Sequence, residues 1–185
     1  MLIQTANGNR GGVARSTLYN RETAGSLVRV LPGVFAREDL SMTDENLMQI
    51  ICMKQPEATL NLISALAYHD ITTQIPDYLS VSVPKGTRMP KVLVSPVKAW
   101  PSKPEYLRKG RVRHSGVIGK YYVTAPERTL VDCFRYRNKI GLDVFLEALH
   151  LGVQKQAFNY AEIEKLARYF HVDRLITPYI STVLS

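Results

Sequence analysis

From residue 125 to the C-terminus the sequence carries helix-period patterning alone, while strand-like alternation is confined to residues 27–35 and 75–124. The helical tail reads as segments of about 125–137, 141–151, 159–170 and 172–183, separated by Gly141, Gly152 and the Phe170-His171-Val172 corner. Ahead of it, YLSVSVP alternates Leu79, Val81 and Val83 with Ser80 and Ser82, and KVLVSPV follows a GTRMP turn as a second strand. VRHSGVIGKYYVT supplies two more, joined near Gly119. Strands gathered before a run of helices predict an α/β protein of the α+β kind: a mixed sheet flanked by helices, with a helical C-terminus.

The first third of the chain alternates the two patterns. RSTLYNRETA (15–24) reads as a short helix opened by a Ser or Thr hydroxyl cap and closed by Gly25. Leu27, Val28, Val30 and Leu31 then lead through a Pro32-Gly33 turn to Val34 and Phe35, a β-hairpin. Ser41-Met42-Thr43-Asp44 offers alternative N-caps for a helix through Leu47, Ile50, Ile51 and Met53 that Pro56 ends. A second helix is expected from about Thr59 to His69, burying Leu62, Ala65, Leu66 and Ala67 and pairing with the first. Residues 98–111, KAWPSKPEYLRKGR, read as a polar excursion rich in cations and holding two prolines.

At 185 residues and 45% hydrophobic content, the chain can build a core without staples. No apolar run reaches the roughly 18 to 20 residues that cross a bilayer, and MLIQTANGNRGG lacks the apolar stretch of a signal peptide, so a cytoplasmic protein is expected. Cys52 and Cys133 stand inside apolar helical patterns without a CxxC and read as buried thiols. The net charge of +8 is concentrated: residues 85–139 carry fourteen Lys and Arg against three acids, whereas residues 41–84 are acidic. A concentration of that size points to a polyanion, DNA or RNA.

Two stretches carry residues suited to nucleic acid. A helix bearing Arg15, Ser16, Thr17, Tyr19, Asn20 and Arg21, followed by a ribbon with Arg29 and Arg37, has the order of a recognition helix and wing. Arg and Asn can address guanine and adenine edges, and the hydroxyls can bond phosphate oxygens. The same spacing also serves an ordinary helix packed on a hairpin. The basic middle groups Lys98, Lys103, Arg108, Lys109, Arg111 and Arg113 around Trp100 and Tyr106, aromatics able either to stack on exposed bases or to anchor the loop.

Catalytic patterns are absent from the sequence. Thr124 and Glu127, with Pro126 between them, have the T-x-x-E spacing of a capping box worth about 1 kcal/mol. Asp132 is placed about 140° round the helix from Glu127 and is expected to hold Arg128 or Arg135. His69, His114, His150 and His171 share no metal-like spacing, and no phosphate-binding glycine loop or nucleophile motif occurs. A non-enzyme without cofactor or metal is expected.

The order of these segments resembles the AbiEi-type antitoxins of bacterial type IV toxin-antitoxin systems. RSTLYNRETAGSLVRVLPGVFA resembles that family's recognition helix and wing, and ATLNLISALAYHDITTQIPDYLSVSVPKG the opening of its second domain. VTAPERTLVDCFRYRNKIGLDVFLEAL resembles the helical segment after its sheet, and residues 158–185 match more loosely. The resemblance implies a winged helix-turn-helix that binds repeats in the operon's own promoter, and a second domain needed to counteract a nucleotidyltransferase-like toxin. Fourteen residues precede Arg15, too few for the two helices such a unit places before its recognition helix, so a reduced unit is expected at 1–40, followed by an α/β domain at 41–185. The rival expectations are a toxin-neutralising interaction module that does not bind DNA and a nucleic-acid-processing enzyme.

Overall fold

The computed structural model describes residues 2–4 and 13–184. The first unit along the chain comprises β1 (Leu2–Gln4), α1 (Arg15–Thr23), β2 (Leu27–Leu31) and β3 (Val34–Arg37). The three strands form an antiparallel sheet with β3 in the middle. Pro32 and Gly33 make the β2–β3 turn, where Gly33 takes φ +76°, a left-handed value that side chains resist. α1 is not opened by a hydroxyl: Ala14 is its N-cap, and Ser16 and Thr17 lie inside the helix. A hydrophobic staple sets the start instead, because Val13, just before the cap, packs with Leu18, Leu27 and Phe35 in one small cluster. The helix ends as expected at Gly25, with Gly25 N–H bonded to Glu22 O and Ser26 N–H to Arg21 O, a Schellman closure.

The second sheet follows. α2 (Asp44–Lys54) is capped by Thr43, whose hydroxyl accepts from Asn46 N–H; it buries Leu47, Met48, Ile50 and Ile51 while Met53 is exposed. The next elements are β4 (Thr59–Leu60), α3 (Leu62–Tyr68), β5 (Leu79–Pro84), β6 (Val97–Ser102), α4 (Pro104–Arg108), β7 (Arg111–Ser115) and β8 (Lys120–Thr124). The five strands lie in the order β6-β5-β4-β8-β7, with β4 parallel to β8, β5 parallel to β6 and the remaining pairs antiparallel.

The structure departs from the sequence expectations at several elements. Thr59 and Leu60 form the central strand rather than the start of a helix, and α3 begins only after Asn61. That strand separates the two helices expected to pair: α2 packs over β8, whereas α3 packs on β5 and on the first helix of the tail. Ala67 consequently faces solvent. KVLVSPV is not a strand; Pro90 and Pro96 bracket it and remove backbone donors, so Val92 and Val94 pack as a loop against the core and β6 begins at Val97. Residues 98–111 are no excursion either, since they supply the edge strand β6, α4 and the start of β7. Pro101 occupies the sheet's edge and Pro104 the first turn of α4, positions that need no N–H.

The tail comprises α5 (Pro126–Arg135), α6 (Arg137–Ile140), α7 (Leu142–Gln154), α8 (Tyr160–Tyr169) and α9 (Asp173–Leu184). Gly152 does not separate two of these helices. It lies inside α7, where the Phe158 ring occupies the space a Cβ would need. The capping box does not form: Ala125 is the cap of α5, Thr124 Oγ1 pairs with Thr129 Oγ1 at 2.7 Å, and the Glu127 carboxylate accepts from Asn159 N–H at 2.9 Å. Pro126 does occupy the first turn, and Asp132 holds both Arg128 and Arg135.

Two large apolar clusters result. One joins the hairpin residues Val30, Leu31, Val34 and Ala36 to α2 and to Leu60, Val81, Val83, Tyr121 and Val123 of the sheet. The other joins α3 and Trp100 to α5, α7, α8 and α9. Cys52 and Cys133 are free and buried, and burial pushes the Cys52 thiol up to about 11. The molecule is thus a mixed α/β protein with a helical C-terminus, and no helix among the described residues is long and apolar enough to cross a membrane.

Candidate nucleic-acid interface

α1 is held to the molecule by a narrow strip. Leu18 is its one buried side chain, inserted against Leu27 and Phe35, so most of the helix circumference is open. At about 100° per residue, Ser16 and Asn20 lie nearly opposite Leu18, while Arg15 and Arg21 stand about 60° from Leu18 on its two sides. Arg15, Ser16, Thr17, Asn20 and Arg21 are all exposed, and among the described residues neither Arg15 nor Arg21 forms an ion pair. An exposed helix surface with two guanidiniums that form no ion pair among the described residues, a carboxamide and two hydroxyls matches what base edges and phosphates require.

The remaining three residues of this group behave differently. Tyr19 is half-buried, its ring set edge-on against Phe35 at 5.8 Å, and Arg29 Nη1 donates to its hydroxyl at 3.0 Å. Arg29 also faces the Glu22 carboxylate at 3.5 Å and lies over the Tyr19 ring, 5.2 Å from its centroid. It is turned back onto α1 rather than outward from the ribbon. Arg37, at the end of β3, is exposed and paired with Asp39 at 3.2 Å.

The basic middle does not form one patch. Lys98 stands on β6, and Arg111 and Arg113 stand on β7, at opposite edges of the five-stranded sheet. Four strand spacings, roughly 19 Å, separate those edges. On the β7 side, Glu57 takes both Arg108 (3.0 Å) and Arg111 (3.2 Å), and the Arg111 guanidinium covers the Tyr122 ring at 4.0 Å. Lys103 lies over Tyr106 and Lys109 over Tyr169, while Arg113 is exposed without an ion pair among the described residues. On the β6 side, Lys98 lies 4.7 Å from the Trp100 ring, with Lys139 of α6 at 6.0 Å from the same ring. Trp100 is 5% exposed and anchors the edge strand against Tyr136, so no base can stack on its face. Tyr106 likewise packs against Tyr169 and Phe170.

Sequence spacing missed Lys139 as a companion of Lys98 and Glu22 as a partner of Arg29. Only folding brings α6 to the sheet's edge and β2 back against α1. Much of the remaining positive charge is spent internally, since the buried Asp132 carboxylate takes Arg128 at 2.8 Å and Arg135 at 2.6 Å. The exposed surface of α1, by contrast, keeps Arg15 and Arg21 without an ion pair among the described residues. No family model and no curated protein sequence matches this chain.

Proposed function

We propose that this chain is a DNA-binding antitoxin that represses its own operon and counteracts a nucleotidyltransferase-like toxin. The exposed α1 face, with Arg15, Ser16, Thr17, Asn20 and Arg21 presented beside the β2–β3 hairpin, carries this reading. The resemblance of the segment order to the AbiEi-type antitoxins supplies the toxin and the promoter repeats as partners. In this reading the helix enters the major groove, Asn20, Arg15 and Arg21 address bases and backbone, and the hairpin lies against the flanking phosphates. The exposed cations Lys98, Lys103 and Arg113, with the half-buried Lys109, add sequence-independent attraction. The protein acts by binding and not by catalysis, a reading favoured by the engagement of Glu127 with Asn159 and of Asp132 with two arginines.

A two-gene assay in cells tests this. The protein, with a reporter under its operon's upstream region, is expressed with and without the neighbouring toxin gene, as wild type and as Arg15→Ala/Arg21→Ala. The wild type should repress the reporter and restore growth, and the variant should lose repression. Rescue of growth without repression by the wild type would replace the regulator by an interaction module that does not bind DNA.

A further inference from the structure

We infer that the α1 face contains a preorganised phosphodiester site, in which the Tyr19 hydroxyl and the Arg15 guanidinium bind a backbone phosphate while Arg29 positions the phenol without touching nucleic acid. This rests on the DNA-binding reading above and assigns separate roles within it.

A guanidinium has donors only, so the 3.0 Å bond between Arg29 Nη1 and Tyr19 Oη makes the phenol oxygen the acceptor. The phenol proton must then be given elsewhere, and among the described residues no acceptor takes it. A phosphodiester oxygen accepts and does not donate, which is the complement this hydroxyl lacks. A base edge fits less well, because it is uncharged and most edges alternate donors with acceptors.

The phenol is also immobilised before any ligand arrives. Phe35 supports the ring edge-on, the Arg29 guanidinium covers it, and Glu22 holds Arg29 from the next turn of the same helix. Arg29 is only one-third exposed, and its charge is balanced locally by Glu22. Arg15 differs in both respects, being exposed and without an ion pair among the described residues, with its guanidinium carbon 5.7 Å from the Tyr19 ring centroid. One fixed O–H donor and one guanidinium that no carboxylate neutralises among the described residues thus stand side by side at the start of α1. Arg15, chiefly by hydrogen bonding, and Arg29 together hold the Tyr19 phenol below its usual pKa, and a more acidic phenol is a stronger donor to an anion.

The test uses the full chain, with the operon's upstream duplex and a scrambled duplex, across a salt series. Tyr19→Phe keeps the ring and its packing and removes one hydroxyl. It should weaken both duplexes by the same factor, about tenfold or more, and leave the salt slope unchanged because no charge is lost. Arg15→Ala should weaken both and reduce the slope by about 1. Arg29→Gln should weaken binding as Tyr19→Phe does without changing the slope, and adding it to Tyr19→Phe should cost nothing further. If Tyr19→Phe binds as the wild type does, the phosphate site is refuted while DNA binding stands. A slope lowered by Arg29→Gln refutes its positioning role by showing that Arg29 meets a phosphate itself. A wild type that binds neither duplex overturns both this site and the DNA-binding reading.

Discussion

Two guanidiniums converge on the Asp132 carboxylate inside the helical layer, and one of them, Arg128, also donates to the carbonyls of Tyr106 and Lys109. Arg128 thereby ties α5 to the end of α4 as well as neutralising a buried charge. Asp132→Asn leaves both guanidiniums without their anion and should cost about 3–5 kcal/mol of stability in urea unfolding; an unchanged midpoint would refute this role. His69 gives a pH signature. Its Nε2–H donates to Thr124 O at 2.7 Å, and burial, ahead of the effect of nearby His114, holds its pKa below the ordinary 6.5. The unfolded chain therefore binds the proton first, so the His69 contribution is complete above about 6.5 and declines as pH falls from there through the folded value. His69→Gln keeps a donor without titrating and should flatten the stability profile over that window; an identical slope would contradict it. The Asp132 ion pairs were legible in the sequence because they follow helical spacing. The capping box was not, because T-x-x-E spacing says nothing of Thr129 and Asn159, which claim Thr124 and Glu127 in the folded chain.

Among the elements, the β7–β8 hairpin depends on a residue from another part of the chain. Gln49 of α2 is buried, and its Oε1 accepts from Ile118 N–H at 2.8 Å and Gly119 N–H at 3.0 Å. Its carboxamide fills the space beside Gly116 that a Cβ would occupy. Gln49→Ala leaves those two amides without their partner, so their hydrogen exchange should accelerate well before global unfolding, at a stability cost of about 1–3 kcal/mol. Exchange no faster than in the wild type would show that the turn holds itself. Elements with strong local signals were readable: the hairpin at Pro32-Gly33, the Thr43-capped helix, the β7–β8 pair and the helical tail. Those decided by distant contacts were not. β4 is only two residues long and exists because β5 and β8 flank it. Gly152 stands inside α7, its missing side chain leaving room for the Phe158 ring, a contact local patterning does not announce. The candidate site was legible in the same measure, since the α1 residues are local whereas the division of the basic segment between two sheet edges follows from strand order.

Across the whole molecule, the hairpin and the large sheet share one apolar cluster, in which Val30, Leu31 and Val34 meet α2 and the sheet residues Leu60, Val81 and Val83. A helix presented on that hairpin is backed by the body of the protein, which fixes its orientation toward a partner. Leu31→Ala should therefore cost about 2–5 kcal/mol and shift a single cooperative transition, seen alike by probes in the hairpin and in the helical tail; two separate transitions would show that the units fold independently. On the DNA-binding reading proposed above, that rigid presentation lets α1 read sequence rather than only attract phosphate. The affinity of the full chain for the operon's upstream duplex, measured against a scrambled duplex with Asn20→Ala and Arg21→Ala variants at several salt concentrations, puts this to the test. The upstream duplex should be preferred, and each substitution should remove part of that preference, by about 1–3 kcal/mol for a residue that reads a base. Equal binding of the two duplexes, steep in salt and indifferent to both substitutions, would contradict the account and move the contact to the basic edges of the sheet.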